Sequence, residues 1–160
     1  MFKRVENNIN LAQVENEISN YWDEIDAFQT SLNNRKNDQI FRFYDGPPFP
    51  TGSPHYGNLL AGVIKDIVPR YWTMRGYYVE RRFGWDVHGL PIEMEVQKNL
   101  NLEDPQQIDE YGIGKFNEAC RTQVQTNTEN WEKITRKIGR WVDFENDYKT
   151  MDIDFMESVW

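Results

Sequence analysis

The stretch Gln39-Ile40-Phe41-Arg42-Phe43-Tyr44-Asp45-Gly46-Pro47-Pro48-Phe49-Pro50-Thr51-Gly52-Ser53-Pro54-His55-Tyr56-Gly57-Asn58 decides the fold. Its first six residues, 39–44, are rich in β-branched and aromatic side chains and read as a short strand. The next ten hold four prolines and two glycines, which forbid helix and central strand alike and leave a stiff, shaped loop. Residues 57–75 then read as a helix, with Leu59, Leu60, Val63, Ile64, Ile67, Val68 and Tyr71 clustered on one side. Pro69 is expected to kink that helix or end it early. Residues 77–82 read as a second strand. Strand, loop, helix and strand make a βαβ unit, the building block of parallel sheets with right-handed crossovers.

Outward from this unit the pattern is helical. Residues 10–33 predict one amphipathic helix, with Leu11, Val14, Ile18, Trp22, Ile25 and Phe28 at three- and four-residue steps and Asn10 with Gln13 as a capping box. Beyond Gly84, helices are expected over about 91–99 and 113–138, and a short one after Met151. The fold class is therefore α/β. Residues 1–38 read as an N-terminal helical extension and residues 39–160 as the first half of a Rossmann-type nucleotide-binding domain. The last residues, Met156-Glu157-Ser158-Val159-Trp160, look like an uncapped apolar helix, which suggests a fragment of something longer.

Composition narrows the function. The single cysteine, Cys120, cannot form an internal disulfide and fits a cytoplasmic, reducing compartment. The N-terminus lacks the apolar core of a signal peptide, and no apolar run is long enough to span a membrane. Metal binding has no support, since His55 and His88 are the only histidines and no cysteine pair exists. The net charge of −8 speaks against a long polyanion, but it is unevenly spread. Residues 1–39 carry 4 basic and 7 acidic side chains, residues 40–82 carry 6 and 3, and residues 83–160 carry 8 and 16. The middle block is a basic island suited to a small anion such as a nucleoside triphosphate. Mere alternation of charge on solvated faces gives the same counts.

Two stretches carry chemistry. Pro54-His55-Tyr56-Gly57-Asn58 opens a helix just after a strand and loop. Free backbone N–H groups and the positive end of the helix dipole make such a place an anion site at the carboxyl end of a parallel strand. His55 and Asn58 can each donate a hydrogen bond to a phosphate oxygen, and Gly57 clears room for a flat base. A histidine at a helix start also serves simply as a cap. The second stretch is Phe83-Gly84-Trp85-Asp86-Val87-His88-Gly89-Leu90-Pro91-Ile92-Glu93. It follows the second strand, so its loop lies at the same end of the sheet. Asp86 offers a carboxylate to an ammonium group; it also fits as a helix cap, with Trp85 as core.

Together these motifs resemble the class I aminoacyl-tRNA synthetases, whose first signature is His-x-Gly-His. In the isoleucine, valine and leucine group a Pro-rich segment like Gly46–Gly52 precedes it. The fourth position here is Asn58, which keeps a phosphate donor but cannot carry a positive charge. The Gly-Trp-Asp-Val-His-Gly-Leu-Pro-Ile-Glu block, with Asp86 standing 29 residues past Gly57, has the isoleucine pattern rather than the leucine or valine one. The resemblance implies ATP-dependent activation of isoleucine and its transfer to tRNA(Ile), with editing of valine by a domain outside this chain. It assigns His55 and Asn58 to catalysis; His55, Tyr56, Gly57 and Asn58 to ATP; and Pro47, Trp85, Asp86 and His88 to the amino acid. ATP with Mg2+ enters as substrate, and zinc is expected only in C-terminal parts beyond this chain. The complete enzyme is expected as a cytoplasmic monomer, with the 160 residues alone inactive. The alternatives are a free-standing nucleotide-binding or regulatory module derived from a synthetase, or a valine or leucine relative. A plain dinucleotide-binding domain is disfavoured, because no Gly-x-Gly-x-x-Gly follows a strand.

Overall fold

The computed structural model describes residues 8–160, so the reading of the first seven residues lies outside the described residues. The elements run α1 Leu11–Glu24, α2 Ala27–Asn33, α3 Tyr56–Met74, β1 Arg82–Trp85, α4 Leu90–Leu100, α5 Pro105–Tyr111, α6 Ile113–Lys137, β2 Asp143–Lys149 and α7 Ile153–Val159.

The βαβ unit is present, with shorter strands than the composition suggests. Ile40 pairs with Tyr78 in a single parallel bridge, closed by Phe41 N–H to Tyr78 O at 2.9 Å and Tyr78 N–H to Gln39 O at 3.0 Å. Residues 42–44 make no ladder hydrogen bonds among the described residues. The second strand begins at this bridge and regains regular pairing later than expected, at β1, where it runs parallel to β2. The register is Arg82 with Asp143, Gly84 with Tyr148 and Trp85 with Lys149, so β2 carries extra residues between the first two pairs. Asn146 N–H bonds back to Asp143 Oδ1 at 3.0 Å and folds that surplus into a bulge. The extended stretch 78–85 is thus central, with Ile40 on one side and β2 on the other.

The leading helix is broken in two. Asp26 adopts φ 46°, in the left-handed region, and separates α1 from α2. The bend lets both halves dock on one aromatic side chain: Trp22 meets Trp141 edge-on at 5.4 Å, and Phe28 tilts against it at 6.4 Å. At the start of α1 only half of the expected capping box forms. Asn10 Oδ1 accepts from Gln13 N–H at 3.3 Å, but the Gln13 amide turns forward to Glu17. Pro69 neither ends nor shortens α3, which runs on to Met74. The Pro69 carbonyl accepts from the Thr73 hydroxyl at 2.8 Å and from Arg81 at 3.3 Å.

The core lies between β1, β2 and the helices α4 and α6. Phe83, Trp85, Val87, Ile92, Val96, Phe116, Val124, Trp131, Val142 and Phe144 form one buried cluster, with Cys120 packed at its margin. Phe83 stacks on Phe144 at 4.6 Å. Truncating a buried aromatic of this kind costs about 3–5 kcal/mol. The outer face of α3 is bare by contrast: Leu60, Ile64, Ile67 and Met74 are all exposed, as is Ile40 on the sheet edge beside them.

Candidate functional site

The proline loop is fixed at both ends. At its start Asp45 is buried, with its side chain 3% exposed between Lys65 and Arg140. Lys65 Nζ stands 2.7 Å from Asp45 Oδ1 as a charge contact and donates to Gly46 O at 2.6 Å, while Arg140 binds Oδ2. A carboxylate so deep needs cationic partners, and it has two. The Tyr148 hydroxyl donates to the Asp45 carbonyl at 3.3 Å. At the far end Trp131 Nε1 donates to Gly52 O at 2.9 Å and Asn130 Nδ2 to Ser53 Oγ at 3.2 Å. Between these anchors Pro47, Pro48 and Pro54 wall a cavity of about 220 Å³ that Asn58, Phe83, Trp131 and Arg140 also line.

His55 is the N-cap of α3, and with Asn58 it closes a reciprocal capping box. Its Nδ1 accepts from Gly57 N–H at 3.1 Å, and the Asn58 side-chain oxygen accepts from His55 N–H at 3.0 Å. The cap has a chemical consequence. A neutral imidazole that accepts at Nδ1 carries its proton on Nε2, so His55 turns a fixed N–H donor outward. Asn58 likewise spends its oxygen and keeps both amide protons. Two expectations change here. The first-turn N–H groups are not all free, since Gly57 N–H is bound to His55 Nδ1 and Asn58 N–H to His55 O at 2.9 Å. The space over Gly57, expected to admit a base, holds the His55 ring instead: a Cβ there would lie 2.9 Å from Cε1. His55 and Tyr56 are exposed and Asn58 is half-buried.

The second loop meets the first through the backbone. Asp86 N–H donates to Pro48 O at 2.9 Å. Asp86 is half-buried, and its carboxylate makes no hydrogen bond among the described residues. His88 is exposed. Trp85, expected among the amino-acid-binding residues, is 1% exposed and sits in the core, its Nε1 bonded to Asp147 Oδ2 at 2.6 Å. Its part is to hold the loop from within. Gly89, at φ 94°, releases the chain into α4.

Sequence reasoning passed over the supports of this site: Lys65, Trp131, Arg140, Tyr148 and Thr150. Burial pushes the Tyr148 phenol up, and Asp45 and Asp86 push it further while Arg82 opposes them. The phenol bonds the carbonyl that opens the first loop, and its ring packs against Gly84 just before the second. Among the described residues no group of three or more His, Cys, Asp or Glu is placed to hold a metal ion, and no helix is long and apolar enough to cross a membrane.

A family model described as tRNA synthetases class I (I, L, M and V) matches residues 17–160. The isoleucine–tRNA ligase of Chlamydia abortus (strain DSM 27085 / S26/3) is 56% identical over 150 residues, which cover 94% of this chain and 14% of that protein. The cytoplasmic isoleucine–tRNA ligase of Arabidopsis thaliana is 55% identical over 146 residues, covering 91% of this chain and 12% of that one. That of Treponema denticola is 49% identical over 160 residues, covering 100% of this chain and 14% of the relative. The chain therefore spans about one seventh of the length of such relatives. Among solved structures, the LeuRS of Agrobacterium radiobacter K84 agnB2, in a ternary complex with tRNA and LeuAMS, superposes with a TM-score of 0.64. That match has 18% identity and covers 88% of this chain and 16% of the other, a likeness of fold. With its two signature loops joined at the carboxyl ends of neighbouring parallel strands and the family model matched over residues 17–160, the chain belongs to the class I tRNA synthetases.

Proposed function

We propose that the protein containing this chain activates L-isoleucine with ATP to isoleucyl-adenylate and transfers the isoleucyl group to tRNA(Ile). In this reading residues 39–160 are the first half of the catalytic domain and residues 1–38 its N-terminal extension. The observation that carries it is the 2.9 Å hydrogen bond from Asp86 N–H to Pro48 O, which sets an ammonium ligand beside the loop that leads into the phosphate-facing cap.

The residues divide the work by chemistry. Asp86 takes the α-ammonium of isoleucine, with His88 beside it and Pro47 against the aliphatic side chain. A carboxylate oxygen of isoleucine attacks the α-phosphorus of ATP. The bond to the bridging oxygen breaks, and pyrophosphate leaves with its Mg2+. Charge builds on the phosphoryl oxygens during this step, and preorganised donors stabilise it without reorganising. His55 Nε2–H and the Asn58 amide are those donors. Tyr56 is read on the ATP side with them, and Gly57 serves it by leaving room for the His55 ring that carries the donor.

Valine lacks one methylene, and a pocket gains only about 1–3 kcal/mol from that difference, a limit for which isoleucine against valine is the familiar case. Correction of valine therefore belongs to an editing domain outside these residues, as do most tRNA contacts and any zinc. The bare face of α3 supports this division, because a free-standing module would hide such a stripe. The complete protein is read as a cytoplasmic monomer.

The test uses the complete gene product and His55→Gly. Glycine is tolerated at an N-cap and carries no side-chain donor, so the helix start survives while the Nε2–H donor is lost. Isoleucine-dependent pyrophosphate exchange is expected to slow by about 10²–10³ with isoleucine affinity nearly intact. An unchanged rate rejects the role of His55. A wild-type protein with no isoleucine-dependent exchange rejects the reaction.

A further inference from the structure

We propose that Thr150, just past the end of β2, is the positioning residue that sets where the Asp86 carboxylate stands; the inference rests on the reading of Asp86 as the ammonium ligand. Thr150 is buried at 8% exposure and brackets Asp86 on both sides. Its backbone N–H donates to Trp85 O at 3.0 Å, the carbonyl just before Asp86. Its hydroxyl oxygen accepts from Val87 N–H at 2.9 Å, the amide just after. The amide between them, Asp86 N–H, goes to Pro48 O. Three consecutive backbone groups are therefore fixed, two of them by one residue. Nearby residues of β2 reinforce this: Asp147 holds the Trp85 indole, and the Tyr148 ring packs against Gly84.

Such a frame matters because a carboxylate is a useful ammonium ligand only where the substrate's other groups also reach their partners. A misplacement of about 1 Å can cost about 10²-fold in rate or affinity. Of the three anchors, the Thr150 hydroxyl is the one a side-chain change can remove while leaving the fold's volume alone. Valine has the same shape with a methyl in place of the hydroxyl, and serine keeps the hydroxyl.

The experiment measures isoleucine-dependent pyrophosphate exchange by the complete gene product with Thr150→Val and Thr150→Ser, varying isoleucine and ATP separately. Thr150→Val is expected to raise KM for isoleucine by about 10- to 100-fold with KM for ATP within about twofold, and Thr150→Ser to restore it. If Thr150→Val does not fold, Thr150→Cys, whose sulfur is a weak acceptor, is read on the same two constants. An unshifted KM for isoleucine overturns the inference, as does a parallel rise in both constants, which marks a merely structural role. A wild-type protein without isoleucine-dependent exchange overturns the reaction and this inference with it, whereas wild-type exchange with an unshifted variant overturns this inference alone.

Discussion

Gly84→Ala should destabilise the chain, against the usual trend for a glycine inside a strand. Replacing such a glycine by alanine ordinarily gains about 0.5–1 kcal/mol from reduced unfolded-state freedom. Here the added Cβ would lie 2.2 Å from Tyr148 Cζ, 2.3 Å from Cε1 and 2.5 Å from the hydroxyl, where ordinary contact begins near 3.4 Å. The ring must retreat by about 1 Å, and it has little room to do so. Phe155 stacks on it at 5.8 Å, the Arg82 guanidinium stands 5.8 Å from its centroid, and its hydroxyl is bound to Asp45 O. Overpacking of this kind costs about 1–3 kcal/mol, and losing the Tyr148–Asp45 hydrogen bond adds about 1 kcal/mol. Set against the usual gain, the net cost is about 1–3.5 kcal/mol. Urea unfolding followed by tryptophan fluorescence measures it, since Trp85 and Trp131 lie in the core. The cause is separable by a double-mutant cycle: Tyr148→Ser removes the ring, so Gly84→Ala should cost far less in that background. A Gly84→Ala protein as stable as wild type, or one equally destabilised with and without the Tyr148 ring, refutes the reasoning.

Asp45→Ala strands Arg140, whose side chain is 7% exposed, beside Lys65, and should cost about 3–5 kcal/mol in the same urea assay. Adding Arg140→Met should return most of that loss, because it removes the uncompensated buried charge. Burial, with a further push from Glu93, raises the Cys120 thiol above its ordinary value, so less thiolate forms at a given pH. Iodoacetamide at pH 8 should therefore modify Cys120 more slowly in the folded chain than in urea, read by mass spectrometry, and an equal rate in both overturns the expectation.

The parts of this fold that were legible in the sequence are those in which local pattern and tertiary role agree. The proline loop and the long helix α6 each announce themselves within a residue or so of expectation, as does α3 by its period, although the apolar side that marks it stays bare. β2 did not. Asp143-Phe144-Glu145-Asn146-Asp147-Tyr148-Lys149 is charged where strands are usually apolar, because a bulge turns its acidic residues to caps and partners rather than to the sheet face. Propensity scores the side chains, whereas the pairing is decided by β1 across the ladder. The break at Asp26 was hidden for a related reason. The apolar period continues through it, and only the shared contact of Trp22 and Phe28 with Trp141 requires the turn. The supports of the site were out of reach altogether. Lys65, Arg140, Tyr148 and Thr150 stand far in the chain from the loop residues they support and acquire meaning only from the folded contacts around Asp45 and Asp86.

His55 illustrates why weighing a structural reading against a functional one can be the wrong choice. A histidine opening a helix reads either as a cap or as a phosphate donor, and in the function proposed above the first role prepares the second. Capping consumes Nδ1 as an acceptor from Gly57 N–H, which leaves Nε2 as the donor of the neutral ring. The reciprocal bond from His55 N–H to Asn58 Oδ1 consumes that amide's acceptor and leaves its donors free. Every acceptor in the box faces inward, and the side-chain donors that remain face out, toward the positive end of the helix dipole's field. An anion is the ligand proposed for such a surface, because its donors are already set by the cap. Asn58 can fill this place without a positive charge because the box asks the fourth residue for an acceptor to the backbone and a spare donor, which an amide supplies in one fixed orientation.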